Sequence, residues 1–237
     1  MTSRARRSRD RPGAQRKGAP SARPGPSVAP VLDAPTRGLL RVALGIPRAS
    51  ETRLAGWMEA AVAGGTPALW LEETVLASVL YVGFPRALVA MTCWRRHASE
   101  PAAGAEAGDY ARWREWRARG EATCRAVYGE HYEQLRHHVR ALHPELDLWM
   151  LVDGYGKTLS RPGLDLARRE LCSVALLVSQ PAPRQLLAHL RGALNAGASP
   201  AQVDELLALA DEVSAGDGLL DVALGLWHEL RETRGHD

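Results

Sequence analysis

From Thr36 onward, apolar residues recur at three- and four-residue spacing, and no segment alternates with period two. That pattern suits amphipathic helices and leaves no stretch for a half-buried strand. The punctuation agrees. "SETRLAGWMEAAVAGG" offers Ser50 as a cap and stops at Gly64-Gly65, and "TPALWLEETVLASVLYVG" restarts with Thr66 as N-cap and Pro67 at the first helical position. Further helices are predicted over "FPRALVAMTCWRRH", from Tyr110 to about Arg140, and from about Pro144. "LARRELCSVALLVS" is a helix broken by "QPAP", and "RQLLAHLRGALNAG" ends at Gly197, where glycine can take the left-handed C-cap. "SPAQVDELLALADEV" and "GLLDVALGLWHELRE" close the chain. With a single phenylalanine, Phe84, the core must be Leu, Ala and Val. Leu and Ala favour helix, and the predicted fold class is all-α.

Residues 1–35 read differently. "RPGAQRKGAPSARPGPSVAP" is rich in Pro, Gly, Ser and charge and cannot bury enough apolar surface to offset its ordering entropy. A disordered basic arm is expected, either an electrostatic arm for acidic partners or a solvated tail. Residues 1–30 hold eight Arg and Lys against Asp10, while the whole chain carries only +3, so the remainder is acidic on balance. A nucleic-acid surface is not implied for it. The cysteines, Cys93, Cys124 and Cys172, are odd in number and form no C-x-x-C, which fits a reducing compartment. No apolar run is read as long enough for a bilayer span, and the N-terminus lacks a secretory apolar segment. A cytoplasmic protein without a membrane partner is expected.

"EPAAGAEAGD", residues 100–109, is the internal linker, separating a half over 36–99 from a unit over 110–237. The two align without gaps. "RLAGWMEAAVAGGTPALWLEE" and "QLLAHLRGALNAGASPAQVDE" share helix, Gly stop, Pro start and acidic helix at an offset of 132 residues. Leu54/Leu186, Ala61/Ala193, Gly65/Gly197 and Glu73/Glu205 coincide. An internal duplication is the working expectation, although unrelated helical hairpins can also align this way.

"YGKTLSRPGLDLARREL" followed by "QLLAHLRGALNAGASPAQVDELL" resembles the carboxymuconolactone decarboxylase and alkylhydroperoxidase-like superfamily, over about residues 115–235. "ETVLASVLYVGFPRALVA" is similar to that family's closing helix pair and extends the resemblance to about residues 37–97. The resemblance implies an alkylhydroperoxidase-like helical fold, homo-oligomers such as rings or trimers, and sites between packed helices or subunits. Its peroxidase branch uses a Glu, a C-x-x-C and a His. Anchored on His189, the cysteine positions fall on Ala182 and Gln185, and the glutamate on Glu170. Both thiols are absent, so thiol peroxidase chemistry is rejected.

The decarboxylase branch implies no metal, no organic cofactor and a small carboxylated unsaturated lactone. Loss of CO₂ leaves electron density that must be reprotonated, a task suited to an imidazole near pH 7. The resemblance gives that role to His189, with Glu170 orienting the ring. Arg191 and Arg161 are candidates for holding the substrate carboxylate, because guanidinium binds carboxylate bidentately. Tyr155 is a candidate donor to the lactone oxygen.

Read alone, His189 lies beside the apolar face formed by Leu186, Leu190 and Ala193, where a core histidine needs only a partner. The resemblance makes it a site position. A hairpin centred near Pro181 leaves Glu170 and His189 out of step by about 4–5 Å along the axis, which permits contact without requiring it. In the first half, Trp57 and Gly38 stand at the matching positions. A non-catalytic helical scaffold or ligand-binding protein is therefore the alternative function. His131, His137 and His138 in "HYEQLRHH" read as a solvated face rather than a metal site. Trp113 and Trp116 read as seating a helix under arginine stems.

Overall fold

Asp33 opens the first helix by accepting a 2.7 Å hydrogen bond from Thr36 N on its Oδ1. The computed structural model describes residues 31–213 and 218–234. Within them α1 spans Ala34–Gly45, α2 Glu51–Ala63, α3 Ala68–His97, α4 Trp113–Tyr128 and α5 Tyr132–Leu142. A short α6, Pro144–Trp149, runs into a π-helix, Met150–Leu159. Then come α7 Leu166–Leu177, α8 Pro183–Asn195, α9 Pro200–Val213 and α10 Leu219–Arg234. No strand occurs among the described residues, and the all-α expectation holds.

The arm expected over residues 1–35 lies outside the described residues as far as residue 30. Its end is folded. Leu32 is 1% exposed, its N donates to Glu205 Oε2, and Asp33 and the Pro at the start of α1 already serve the helix. The tail composition stops at Pro30, and the cap signal follows at once.

Other boundaries also move. Thr66 is not the cap of α3: Pro67 is, while the Thr66 hydroxyl donates to Pro35 O at 2.8 Å. The two helices read on either side of "VGFP" are both present within α3, separated by non-helical backbone at Gly83 (φ 68°) just before Pro85. Taken together, Ala68–His97 has the length and apolar composition to cross a membrane, but the break at Gly83 divides it into two shorter helices. In the fold, α3 packs against α1, α2 and α7, and 33% of its most apolar window is buried. Leu76, Leu80, Phe84 and Leu88 remain exposed on it at four-residue spacing. The single stretch expected from Tyr110 to Arg140 is broken at Gly129, whose φ of 54° ends α4.

One apolar cluster joins the two halves. Leu39, Leu40, Leu54 and Leu71 pack with Leu171, Leu176, Leu190, Val203 and Leu206. At the spacing that pairs Ala34 with Leu166, the bounds of α1 and α2 fall on those of α7 and α8. Gly65 (φ 90°) and Gly197 (φ 100°) end the second helix of each pair. Between α3 and the turn before α7 sits a fully buried carboxylate, Glu73. Arg161 Nε lies 3.0 Å from both of its oxygens, and Arg169 Nη2 donates to Oε2 at 2.9 Å.

The π-helix is clamped against α4. A Cβ on Gly120 would lie 2.0 Å from Leu151 O, and one on Gly156 would lie 1.9 Å from Trp116 O. Only glycine lets the two backbones meet, and this contact positions the π-helix that lines the site.

Candidate functional site

His189 and Glu170 approach from the two arms of the α7–α8 hairpin. Leu186 and Leu190 fix the inner face of α8 in the core, with His189 between them and 7% exposed. Glu170 lies in α7 and is fully buried. His189 Nδ1 sits 2.8 Å from Glu170 Oε2. With Glu170 ionised, Nδ1 carries the proton and donates, and Nε2 is left as the free nitrogen. Glu170 Oε1 has no hydrogen-bond partner among the described residues. Gly192, one turn below His189, leaves room for the carboxylate.

His189 lines a cavity of about 470 Å³. Leu80 and Tyr81 of α3, Tyr128 at the end of α4, and Met150, Gly154, Tyr155 and Leu159 of the π-helical segment form much of its wall. The "QPAP" turn supplies Gln180, Pro181 and Ala182, and α8 adds Gln185. A π-helix advances more residues per turn than an α-helix and is frequent at functional sites; here it presents Met150, Gly154 and Tyr155 to one cavity.

The polar lining is mainly phenolic. Tyr81 stacks edge-on against His189 with centroids 5.6 Å apart, and its hydroxyl donates to Ser173 Oγ at 2.6 Å. Ser173 in turn donates to Arg169 O. Burial, reinforced by the nearby Glu170 charge, pushes the Tyr81 hydroxyl well above the usual phenol range. Tyr128 and Tyr155 meet edge to face at 6.1 Å. Burial pushes Tyr128 up to about 12 and raises Tyr155 well above its ordinary value. All three stay protonated and can donate near neutral pH.

The structure thus brings together three of the residues singled out in the sequence, His189, Glu170 and Tyr155. It does not bring in the two arginines. Arg161 is spent on Glu73 and on Glu106 O, at 2.8 Å, and does not line the cavity. Its partner Glu73 reaches it from 88 residues away in sequence. Arg191 lines neighbouring cavities behind Tyr128. Among the described residues, no Arg or Lys lines the His189 cavity.

Sequence reading missed Tyr81 and Tyr128. Tyr81 belongs to "YVGF" in the 36–99 half and, with Leu80, adds that half to a cavity whose other lining residues come from the second unit. The available signal was the tyrosine within the segment read as similar to the family's closing helix pair. Trp57 and Gly38, the first-half counterparts of His189 and Glu170, form no such site: a Cβ on Gly38 would lie 2.8 Å from Thr66 Oγ1, and Trp57 packs over Gly45.

The cysteines do not enter. All three are buried and unpaired. Cys172, two residues past Glu170, is 3.6 Å from Thr74 Oγ1, and burial pushes its thiol up to about 12. Ala182 and Gln185 line the cavity where the thiols of a peroxidase would stand.

Residues 144–229 match the model of the carboxymuconolactone decarboxylase family. No curated protein matches the chain. The matched segment contains Glu170, His189 and Tyr155, whereas Tyr81 and Tyr128 lie outside it.

Proposed function

We propose, for a chain whose residues 144–229 match the model of the carboxymuconolactone decarboxylase family, that the His189 cavity transfers a proton to or from a small unsaturated carbonyl compound without a cofactor. Its specific form would be decarboxylation of a carboxylated lactone. The observation that carries this reading is the 2.8 Å pairing of a nearly buried imidazole with a fully buried carboxylate on a cavity wall.

In that reaction the bond between the carboxylate carbon and the ring breaks. CO₂ leaves, and the electron pair delocalises into the lactone. His189, protonated on Nε2, delivers a proton to the carbon and recovers one from water. Glu170 fixes the ring and stabilises its charged form. Tyr128 or Tyr155 donates to the lactone oxygen as negative charge collects there. The lack of an arginine in the cavity fits CO₂ loss. A guanidinium clamp would stabilise the substrate carboxylate more than the departing neutral CO₂ and raise the barrier.

The same lack of an arginine or lysine among the described lining residues also favours the second reading, a ligand-binding protein without turnover for an uncharged carbonyl compound. One assay separates the two. Purified protein is followed for loss of carboxymuconolactone absorbance beside His189→Ala. Turnover abolished in a folded variant supports the enzyme. No turnover in either, with binding of an uncharged lactone retained, supports the binding protein. Turnover surviving in the variant overturns the choice of His189. A homo-oligomer of the kind the resemblance implies would bury exposed apolar residues such as Leu76, Leu80, Phe84 and Leu88, of which Leu80 lines the cavity.

A further inference from the structure

Behind Tyr128 lies a second cavity, of about 360 Å³, within the usual size range of small-molecule sites. Val127, Leu135 and Ala188 give it apolar walls, and Tyr128 separates it from the His189 cavity. Arg191 is at its edge and also lines the adjoining polar cavity of about 300 Å³, together with Asn195 and Arg234.

Arg191 is unusual in this chain. Most described arginines are held by a carboxylate, a carbonyl or an aromatic ring: Arg136 by Asp147, Arg169 by Glu73 and Arg234 by Asn195. Arg191 is half-buried, yet no hydrogen bond, ion pair or ring contact reaches it among the described residues. A guanidinium has five donors in a fixed fork, so leaving it unmatched beside an apolar wall has a cost unless an anion completes it. His131 and His138 also line the cavity, and no carboxylate does among the described residues.

We propose that this cavity is a second ligand site, for a small carboxylate with an apolar body. The carboxylate sits on Arg191 and the body against Val127, Leu135 and the Tyr128 ring. The site is distinct from the His189 cavity and does not depend on that cavity's chemistry. Because Tyr128 lines both, an occupant would bear on one wall of the reaction cavity.

Calorimetric titration with benzoate, and with uncharged benzamide as control, tests this. Benzoate should bind the intact chain and benzamide at least about tenfold more weakly. Arg191→Gln should weaken benzoate by about tenfold or more, the loss of a charge-assisted fork, without lowering the melting temperature. Arg191→Lys should recover part of the affinity, and His189→Ala should leave it unchanged. No benzoate binding, equal binding of benzamide, unchanged affinity in folded Arg191→Gln, or loss in His189→Ala would each overturn the proposal. The last result would place the acid in the His189 cavity.

Discussion

Gly192 is the floor on which the Glu170 carboxylate rests: a Cβ there would lie 2.5 Å from Glu170 Oε2 and 2.7 Å from Val127 Cγ1. The glycine of "HLRGAL" therefore makes room for the carboxylate that orients His189. Gly192→Ala should push Glu170 away from Nδ1. The expected cost is about 1–3 kcal/mol in stability from overpacking. Any turnover should fall by about a hundredfold, since small displacements of a catalytic pair are expensive. Thermal melts and the assay on one preparation check both numbers. Full activity would mean that the pair has no catalytic part.

Arg161 offers a test in which sequence and structure disagree. As a substrate clamp, its loss should raise KM and spare stability. As a partner of buried Glu73, its loss should lower the melting temperature and spare ligand affinity at the His189 cavity. The second outcome is expected for Arg161→Ala. Glu73→Ala should be worse, by about 3–5 kcal/mol, because two arginines then lose their counter-charge, one of them buried.

The thiols should be silent. Burial pushes Cys124 and Cys172 up to about 12 and raises Cys93. The nucleophile is the thiolate, so at pH 7.5 a thiol reagent should label none of the three until denaturant is added. Rapid labelling of native Cys172 would reopen the redox reading.

The helices were legible in the sequence because their determinants are local, apolar spacing and Gly stops, whereas the Glu170–His189 pair came from the family resemblance, since the hairpin spacing permitted their contact without requiring it. The cavity was not legible. Tyr81 and Tyr128 arrive from α3 and α4, and no local pattern reports a wall built across 108 residues, the separation of Tyr81 from His189. Arg161 was misread for the same reason, since its partner Glu73 lies in another helix. The π-helix was also invisible. "MLVDGYGKTL" has ordinary helical composition, and its widened turn depends on the glycine contact between Gly156 and α4.

Asp147 should govern the acid limb of stability. The Arg136 guanidinium holds its carboxyl below the usual range, against an opposing effect of burial, and Arg140 adds to the lowering. Arg136 Nη2 and Arg140 Nη2 both reach Oδ2, at 3.0 and 2.9 Å, tying α5 to the start of α6. A carboxyl whose folded pKa lies below its unfolded one stabilises the fold above the unfolded value. That contribution is lost as pH falls through the folded value. The window therefore opens below about pH 4. Melting temperatures measured from pH 6 downward should show the intact chain more stable than Asp147→Asn, with the gap closing through this window as the carboxyl protonates. A gap that stays constant across the window would show that the ion pairs with Arg136 and Arg140 contribute nothing to holding α5 on α6, and that the variant is weakened by packing alone.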